Sequence, residues 1–256
     1  MLILNRRKRL FASMENVYFM EDPTDYKTDC DVVLFYSAGR KPKGGFHGKP
    51  SYTLQIDLRR SKEELFNDMS KSTRRELRRA LENPELKYAY ITNPTPSQLE
   101  MFCDCYDQFA GQRGIARTDR AHLKELMERG ILALSYVRGP KDEIYCGTAD
   151  IITPERCYGA YAFTNFRNHS NPRLLGRANR LLYWNSMIYG RQAGCRVCDM
   201  GGIGKGAYGR AMDGIDAFKK GFGGQVVMEY DIYKGYTLRG KVLAWLLHRI
   251  KRLKAR

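Results

Sequence analysis

Apolar positions recur along this chain with two different periods, and the changes between them mark its elements. A short apolar run at residues 32–36 reads as a strand, followed by a loop where Gly39, Gly44, Gly45 and Gly48 sit among Lys and Pro. Tyr52, Leu54, Ile56 and Leu58 then alternate with polar neighbours, the period of a half-buried strand. Ser61 with Glu64 makes a capping box that opens a short helix carrying Leu65 and Phe66. Thr73 with Glu76 makes a second box, predicting a helix over 73–83 with Leu77, Ala80 and Leu81 inward. Thr95-Pro96-Ser97-Gln98 opens a third helix, whose stripe is Leu99, Phe102, Cys103, Tyr106, Phe109 and Ala110 and whose stop is Gly111 or Gly114. Thr118 caps a fourth, with Leu123, Leu126 and Met127 inside and Gly130 at its end.

The period then becomes that of strands. Residues 131–137, 144–152 and 157–163 are three such runs, separated by Gly139-Pro140-Lys141-Asp142 and Pro154-Glu155, which predicts an antiparallel meander. A long helix over 174–192 follows, with Leu174, Leu175, Ala178, Leu181, Leu182, Trp184, Asn185 and Ile188 on its buried stripe and Gly194 after it. Next come a buried strand at 196–200, a long glycine-rich loop, a brief helical turn carrying Phe218, Lys219 and Lys220, and a closing strand from Gln225. Helices, meander, long helix, strand, glycine loop, short helix and strand together outline a GNAT-like acyltransferase fold, an α/β class with a mixed, mostly antiparallel central sheet flanked by helices. The expected organisation is an N-terminal segment at 1–50, the acyltransferase-like domain at 51–236 and a basic amphipathic C-terminal helix at 237–256. In that helix Leu243, Leu246, Leu247, Ile250 and Leu253 share a face.

Composition narrows the possible partners. With 256 residues and 43% hydrophobic content the chain can bury a substantial core. No run approaches the roughly 18 apolar residues of a membrane span. Arg6, Arg7, Lys8 and Arg9 stand where a signal peptide carries its apolar core, so a cytoplasmic location is expected. Seven scattered cysteines read as reduced, partly buried thiols, and Cys195 with Cys198, the sole C-x-x-C, as strand residues. His47, His122, His169 and His248 lack ligand spacing, so no metal is expected. A net charge of +16 calls for anionic partners, with basic clusters at 6–9, 74–79, 167–180 and 239–256.

Two of those clusters carry candidate chemistry. Arg74, Arg75, Arg78 and Arg79 lie within two turns of one helix, where like charges four apart repel unless anions are close. They read either as a solvated face or as a phosphate-binding surface, since arginine grips phosphate bidentately. Arg173-Leu174-Leu175-Gly176-Arg177-Ala178 fits R-x-x-G-x-A, the pyrophosphate motif of coenzyme A-dependent acetyltransferases. Helix onset alone would also explain it. Either phosphate reading uses the same physics, a helix amino end with a glycine that lets backbone N–H groups approach an anion.

Three ordered stretches carry a resemblance to a family. Thr73-Arg74-Arg75-Glu76-Leu77-Arg78-Arg79-Ala80 after Leu54-Gln55-Ile56-Asp57-Leu58, then Gly176 to Trp184 with Gly194 to Ile203, then Phe218-Lys219-Lys220-Gly221-Phe222-Gly223 are similar to the Fem family of aminoacyltransferases. That family builds peptidoglycan cross-bridges from aminoacyl-tRNA. The resemblance spans residues 54–233, and family members usually contain two such domains where this chain has one and a short segment before it. It implies an aminoacyl-tRNA donor, an amine-bearing acceptor, no further cofactor, and Phe218 and Lys219 at the reacting centre.

Lys219 would meet the developing oxyanion or the leaving ribose, and Asp199 would orient the amine or the glycine loop, with turn-making as the plain alternative. Gly201, Gly202, Lys220, Tyr161, Arg173, Gly176 and Arg177 complete the expected substrate-binding set, and Asp150 is within reach of the same groove. No general base stands out. Two other functions fit the residues: an acyl-coenzyme A-dependent N-acyltransferase acting on an amino sugar, and a non-catalytic RNA- or membrane-binding protein. The C-terminal helix would lie on an anionic membrane with Trp245 near the headgroups, or pack on the domain.

Overall fold

The computed structural model describes residues 2–9, 12–165, 171–204 and 210–254. Residues 205–209 of the glycine-rich loop, Arg167, His169 and Arg256 lie outside the described residues, as do the side chains of Arg6, Arg7, Lys8, Arg9, Ile250 and Leu253. In chain order the elements are β1 (Leu2–Arg9), β2 (Ala12–Tyr18), β3 (Val32–Ala38), β4 (His47–Asp57), α1 (Lys62–Asp68), α2 (Lys71–Leu81), β5 (Lys87–Thr92), α3 (Pro96–Arg113) and α4 (Arg120–Glu128). They continue with β6 (Leu132–Arg138), β7 (Ile144–Ile152), β8 (Arg156–Thr164), α5 (Pro172–Gln192), β9 (Val197–Gly202), α6 (Arg210–Lys220), β10 (Gln225–Gly235) and α7 (Leu238–Lys254).

The chain divides into two compact units, one formed by Met1–Thr53 with Val227–Arg256 and the other by Leu54–Val226. The division differs from the three-part organisation read from the sequence, because the two ends of the chain belong to one unit. There β1 pairs antiparallel with β2, β2 parallel with β3, and β3 antiparallel with β10. Strands β1 and β2 had no expected counterpart. The first ends in a run of cations, and the second carries Glu15 inward, where it accepts hydrogen bonds from Tyr26 Oη at 2.9 Å and Thr28 Oγ1 at 3.0 Å. The core of this unit is Val17, Val33, Phe35, Ala38, Phe46 and Ile232.

Helix α7 is seated on this unit through a built junction. Asp31 accepts from Ser13 N at 2.8 Å and from the Thr237 hydroxyl, and that hydroxyl accepts from Gly240 N at 3.1 Å. A Cβ on Gly240 would collide with the Asp31 carbonyl, so only glycine lets the helix start this close to the chain entering β3. Ala244 is buried, and the His248 ring lies 4.7 Å from that of His47. The inner face therefore runs through Gly240, Ala244 and His248. Of the apolar face read from the sequence, Leu243 and Leu247 are half-buried beside this inner face and Leu246 is exposed, because helix phase is set by where glycine permits close approach.

In the second unit, which takes β4 from Leu54 onward, the strand order is β4-β9-β8-β7-β6-β5. The expected meander β6–β7–β8 is antiparallel, and β8 runs parallel to β9, joined to it through α5. Successive side chains point to opposite faces of the sheet. On one face Val137 and Cys146 pack against Leu175, Ala178, Leu181 and Leu182 of α5. On the other, Phe163 meets Phe102 of α3 at 5.6 Å.

The capping boxes of α1 and α3 form as the sequence predicts, with Glu64 N donating to Ser61 Oγ at 3.1 Å and Gln98 N to Thr95 Oγ1 at 3.3 Å. Two others shift. Ser70, not Thr73, caps α2, which leaves Glu76 free to serve elsewhere, and Asp119, not Thr118, caps α4. Thr118 instead donates to Asp107 through its N and its hydroxyl. Strand β5, with its four tyrosine, alanine and isoleucine positions all half-buried, was absent from the expected elements. Helix α6, expected as a single turn, runs over eleven residues and shortens the glycine-rich loop.

Candidate active site

The site begins where two parallel strands part. β8 and β9 are in register at Arg156–Val197, Cys157–Cys198 and Tyr158–Asp199, and their pairing stops there. At the same level the β7–β8 register shifts: Ala149 faces Tyr161 and Asp150 faces Gly159, so Ala160 has no opposite residue. This bulge re-aims the remainder of β8. Cys157 and Gly159 face α5, whereas Tyr161 faces α3 and α4, packing edge-on against Tyr106 at 5.0 Å and accepting from Asp119 N at 3.2 Å.

Beyond the parting point, side chains hold the start of the glycine-rich loop by its backbone. Asp199, 1% exposed, accepts from Gly201 N at 2.8 Å and from Arg156 Nη1 at 2.9 Å. Asp216 of α6 accepts from Gly204 N at 3.1 Å, and Lys219 Nζ donates to the Gly202 carbonyl at 2.7 Å. Gly201 has φ +76°, a conformation other residues adopt only with strain, and a Cβ there would lie 3.7 Å both from Lys219 Nζ and from the Gly159 carbonyl. The Lys219 ammonium thus sits at the opening between β8 and β9. Burial lowers its pKa below the ordinary lysine value, while Asp199 and Asp216 pull it back up.

Phe218 faces α5, where it meets Tyr183 at 5.4 Å and lies under the Arg180 guanidinium at 5.4 Å, and its other neighbour is Phe222 at 5.3 Å. It is the apolar hinge pin that fixes α6, and so Lys219, against α5. Lys220, one residue on, is exposed and points away from Lys219, since adjacent helical residues diverge by about 100°.

The expected arginines of α2 and α5 come together. Ser72, Arg75, Glu76, Arg79, Pro172, Arg173, Gly176 and Arg180 line one cavity of about 640 Å³. A neighbouring cavity of about 1150 Å³ is lined by Asn67, Lys71, Ser72, Arg74, Arg75 and Arg78. Glu76 is the sole carboxylate among these lining residues, and it is shared: Arg177 Nε donates to it at 2.9 Å, Arg79 at 3.2 Å and Arg75 at 3.3 Å. Arg177 therefore ties the two helices together and does not itself line the cavity. Arg74 turns back to the Asn67 carbonyl and Arg78 lies 5.2 Å over the Phe66 ring. Arg180 Nη1 donates to the Gly176 carbonyl at 2.8 Å, which folds that guanidinium back over the first turns of α5. Both cavities keep a strong excess of positive charge, at the amino ends of α2 and α5, a setting that favours phosphate.

Asp150 is 3% exposed and accepts from Thr148 Oγ1 at 3.1 Å on the α5 side of the sheet; burial pushes its carboxyl up to about 7. The structure thus gathers Lys219, Asp199, Gly201 and Gly202 at the strand opening, and Arg75, Arg79, Arg173 and Gly176 at the cavity. Tyr161 joins neither set. Residues that sequence reasoning passed over are Glu76, Arg156, Arg180, Tyr183 and Asp216. The R-x-x-G-x-A stretch is followed two residues later by Arg180, and only its i,i+4 spacing from Gly176 hinted at the contact. Among the described residues no group of His, Cys, Asp and Glu has the geometry to hold a metal ion.

No protein-family model matches the sequence, and no curated protein matches it. Solved structures do resemble it. FemX superposes with a TM-score of 0.60 at 15% identity, over 80% of this chain and 68% of that one. The C-terminal domain of a putative lysylphosphatidylglycerol synthetase from Agrobacterium fabrum gives a TM-score of 0.53 at 13% identity, over 84% and 71% of the two chains. L-PGS from Bacillus licheniformis gives 0.53 at 13%, over 85% and 72%. At such identities the likeness is one of fold: this chain has the mixed α/β fold of FemX and of the lysylphosphatidylglycerol synthetase domain.

Proposed function

We propose that this protein is an acyltransferase that moves an aminoacyl group from aminoacyl-tRNA to an amine acceptor. The observation that carries the reading is the arginine-lined cavity between α2 and α5, where Arg75, Arg79, Arg173 and Arg180 converge in a fold shared with FemX. In the reaction the neutral acceptor amine attacks the ester carbonyl. A C–N bond forms, the carbonyl oxygen becomes an oxyanion, and the C–O bond to the ribose breaks as the amine proton is lost and the ribose oxygen gains one. Lys219, with its ammonium at the opening between β8 and β9, is suited to stabilise that oxyanion or the leaving oxygen. Phe218 holds α6 in place for it. Asp199 positions the loop and not the amine, its two oxygens being engaged with Gly201 N and Arg156, and Asp216 holds the same loop by accepting from Gly204 N through one oxygen. The cavity arginines would grip donor phosphates, and a tRNA donor carries a cytoplasmic location with it.

A second reading, an acyl-coenzyme A-dependent N-acyltransferase, is favoured by one feature: Arg173 and Gly176 of the R-x-x-G-x-A stretch both line the cavity. Incubation with a labelled aminoacyl-tRNA pool and, separately, with acetyl-coenzyme A in the presence of a mixture of amines distinguishes the two. Loss of label from the tRNA alone supports the first reading, loss from the thioester alone the second, and loss from neither defeats both.

A further inference from the structure

The outward face of α7 carries an apolar stripe. Leu238 is 82% exposed, Val242 54%, Trp245 51% and Leu246 42%. At 3.6 residues per turn these four side chains share about 100° of arc. They cannot turn inward, because Gly240 is seated on Asp31, Ala244 is buried and His248 lies against His47. Arg239 and Lys241 flank the stripe on either side, and the Arg249 guanidinium lies 5.1 Å over the Trp245 ring in line with it. Residues 238–254 contain no Asp or Glu at all. Among the described residues no helix is long and apolar enough to cross a membrane, so the stripe suits a surface contact and not a span.

We propose that this face of α7 docks on an anionic lipid surface, with Trp245, Val242 and Leu246 at the headgroup boundary and Arg239, Lys241 and Arg249 among the headgroups. Charge complementarity selects this occupant. A second copy of the chain packed stripe to stripe would bring two sets of like charges together, and a polyanion such as RNA would use the cations but leave four large apolar groups unexplained. The surface lies within one unit of the chain and owes nothing to the acyltransferase reading.

The test is cosedimentation of the full chain with phosphatidylcholine vesicles, with and without phosphatidylglycerol, at low salt. Three cations near the surface, each worth roughly a fivefold gain, should make partition into the anionic vesicles on the order of a hundredfold stronger. Trp245 is the exposed one of the chain's two tryptophans, so emission should shift to the blue on binding. Trp245→Ala with Leu246→Ser, and separately Lys241→Gln with Arg249→Gln, should each lower partition at least about tenfold while leaving the melting temperature unchanged, since these side chains are exposed. The proposal fails if the parent does not sediment with anionic vesicles, if the apolar double variant binds as the parent does, or if the parent is a dimer that this variant dissociates.

Discussion

Arg177 on α5 donates to Glu76 on α2 at 2.9 Å, and the same carboxylate takes Arg79 at 3.2 Å, so a single acidic residue ties together the two helices that line the arginine cavity. The hydrogen bond from Arg177 holds the Glu76 carboxyl below its ordinary pKa, against the opposing effect of burial. A depressed carboxyl contributes stability above its unfolded pKa and loses it as pH falls through the folded one. Glu76→Gln should cost about 1–2 kcal/mol at neutral pH, more than an exposed pair and less than a deeply buried one. Urea unfolding should show the difference shrinking towards pH 3, and a double-mutant cycle with Arg177→Gln should recover most of the loss as coupling.

Asp150 titrates with the opposite sign. Its carboxyl is pushed up to about 7 by burial, so the folded state holds the proton that the unfolded chain releases near 4. Stability should therefore fall as pH rises from about 4 to about 7 and level off above, by an amount on the order of 4 kcal/mol at most. Asp150→Asn should be more stable than the parent at pH 8 and no more stable at pH 4, as read from thermal unfolding at the two values. Equal pH profiles for variant and parent would mean that Asp150 is ionised at neutral pH.

Lys219→Ala removes the ammonium at the strand opening and one hydrogen bond to the Gly202 carbonyl. Stability should change by about 1 kcal/mol or less. Turnover with the active donor should drop roughly a hundred- to a thousandfold, the usual effect of losing an oxyanion donor, with little change in KM. Turnover within about threefold of the parent would take Lys219 out of the mechanism.

Arg75→Gln, Arg79→Gln and Arg173→Gln combined should weaken tRNA binding and flatten its dependence on salt, by a slope of about 0.7 to 0.9 for each phosphate that is no longer neutralised. Glu76 keeps Arg177, so the helix pair should survive. A parent whose binding ignores salt would mean that the donor phosphates do not lie in this cavity.

Much of the second unit was legible from one sequence, because its signals are local. Ser61 with Glu64 and Thr95 with Gln98 close capping boxes over three residues, and the meander's alternation and α5's stripe follow from strand and helix periods. The arginines at 74–79 and 173–177 offered either a solvated face or a phosphate surface, and charge alone did not choose between them. What the sequence did not determine depends on contacts between residues far apart. Glu76 looked like a cap because it stands three residues after Thr73; it pairs with Arg177 because Ser70 took the cap and left the carboxylate free to cross to α5. Tyr161 alternates into the groove on paper, but the unopposed Ala160 turns it to the far face. Leu246 belongs to an ideal apolar stripe, yet the collision a Cβ at Gly240 would meet set the phase of α7 and left that side chain outside. Residue type and local spacing are written along the chain, while register, phase and ion-pair choice are settled by which backbone can approach which, and that is decided only in three dimensions.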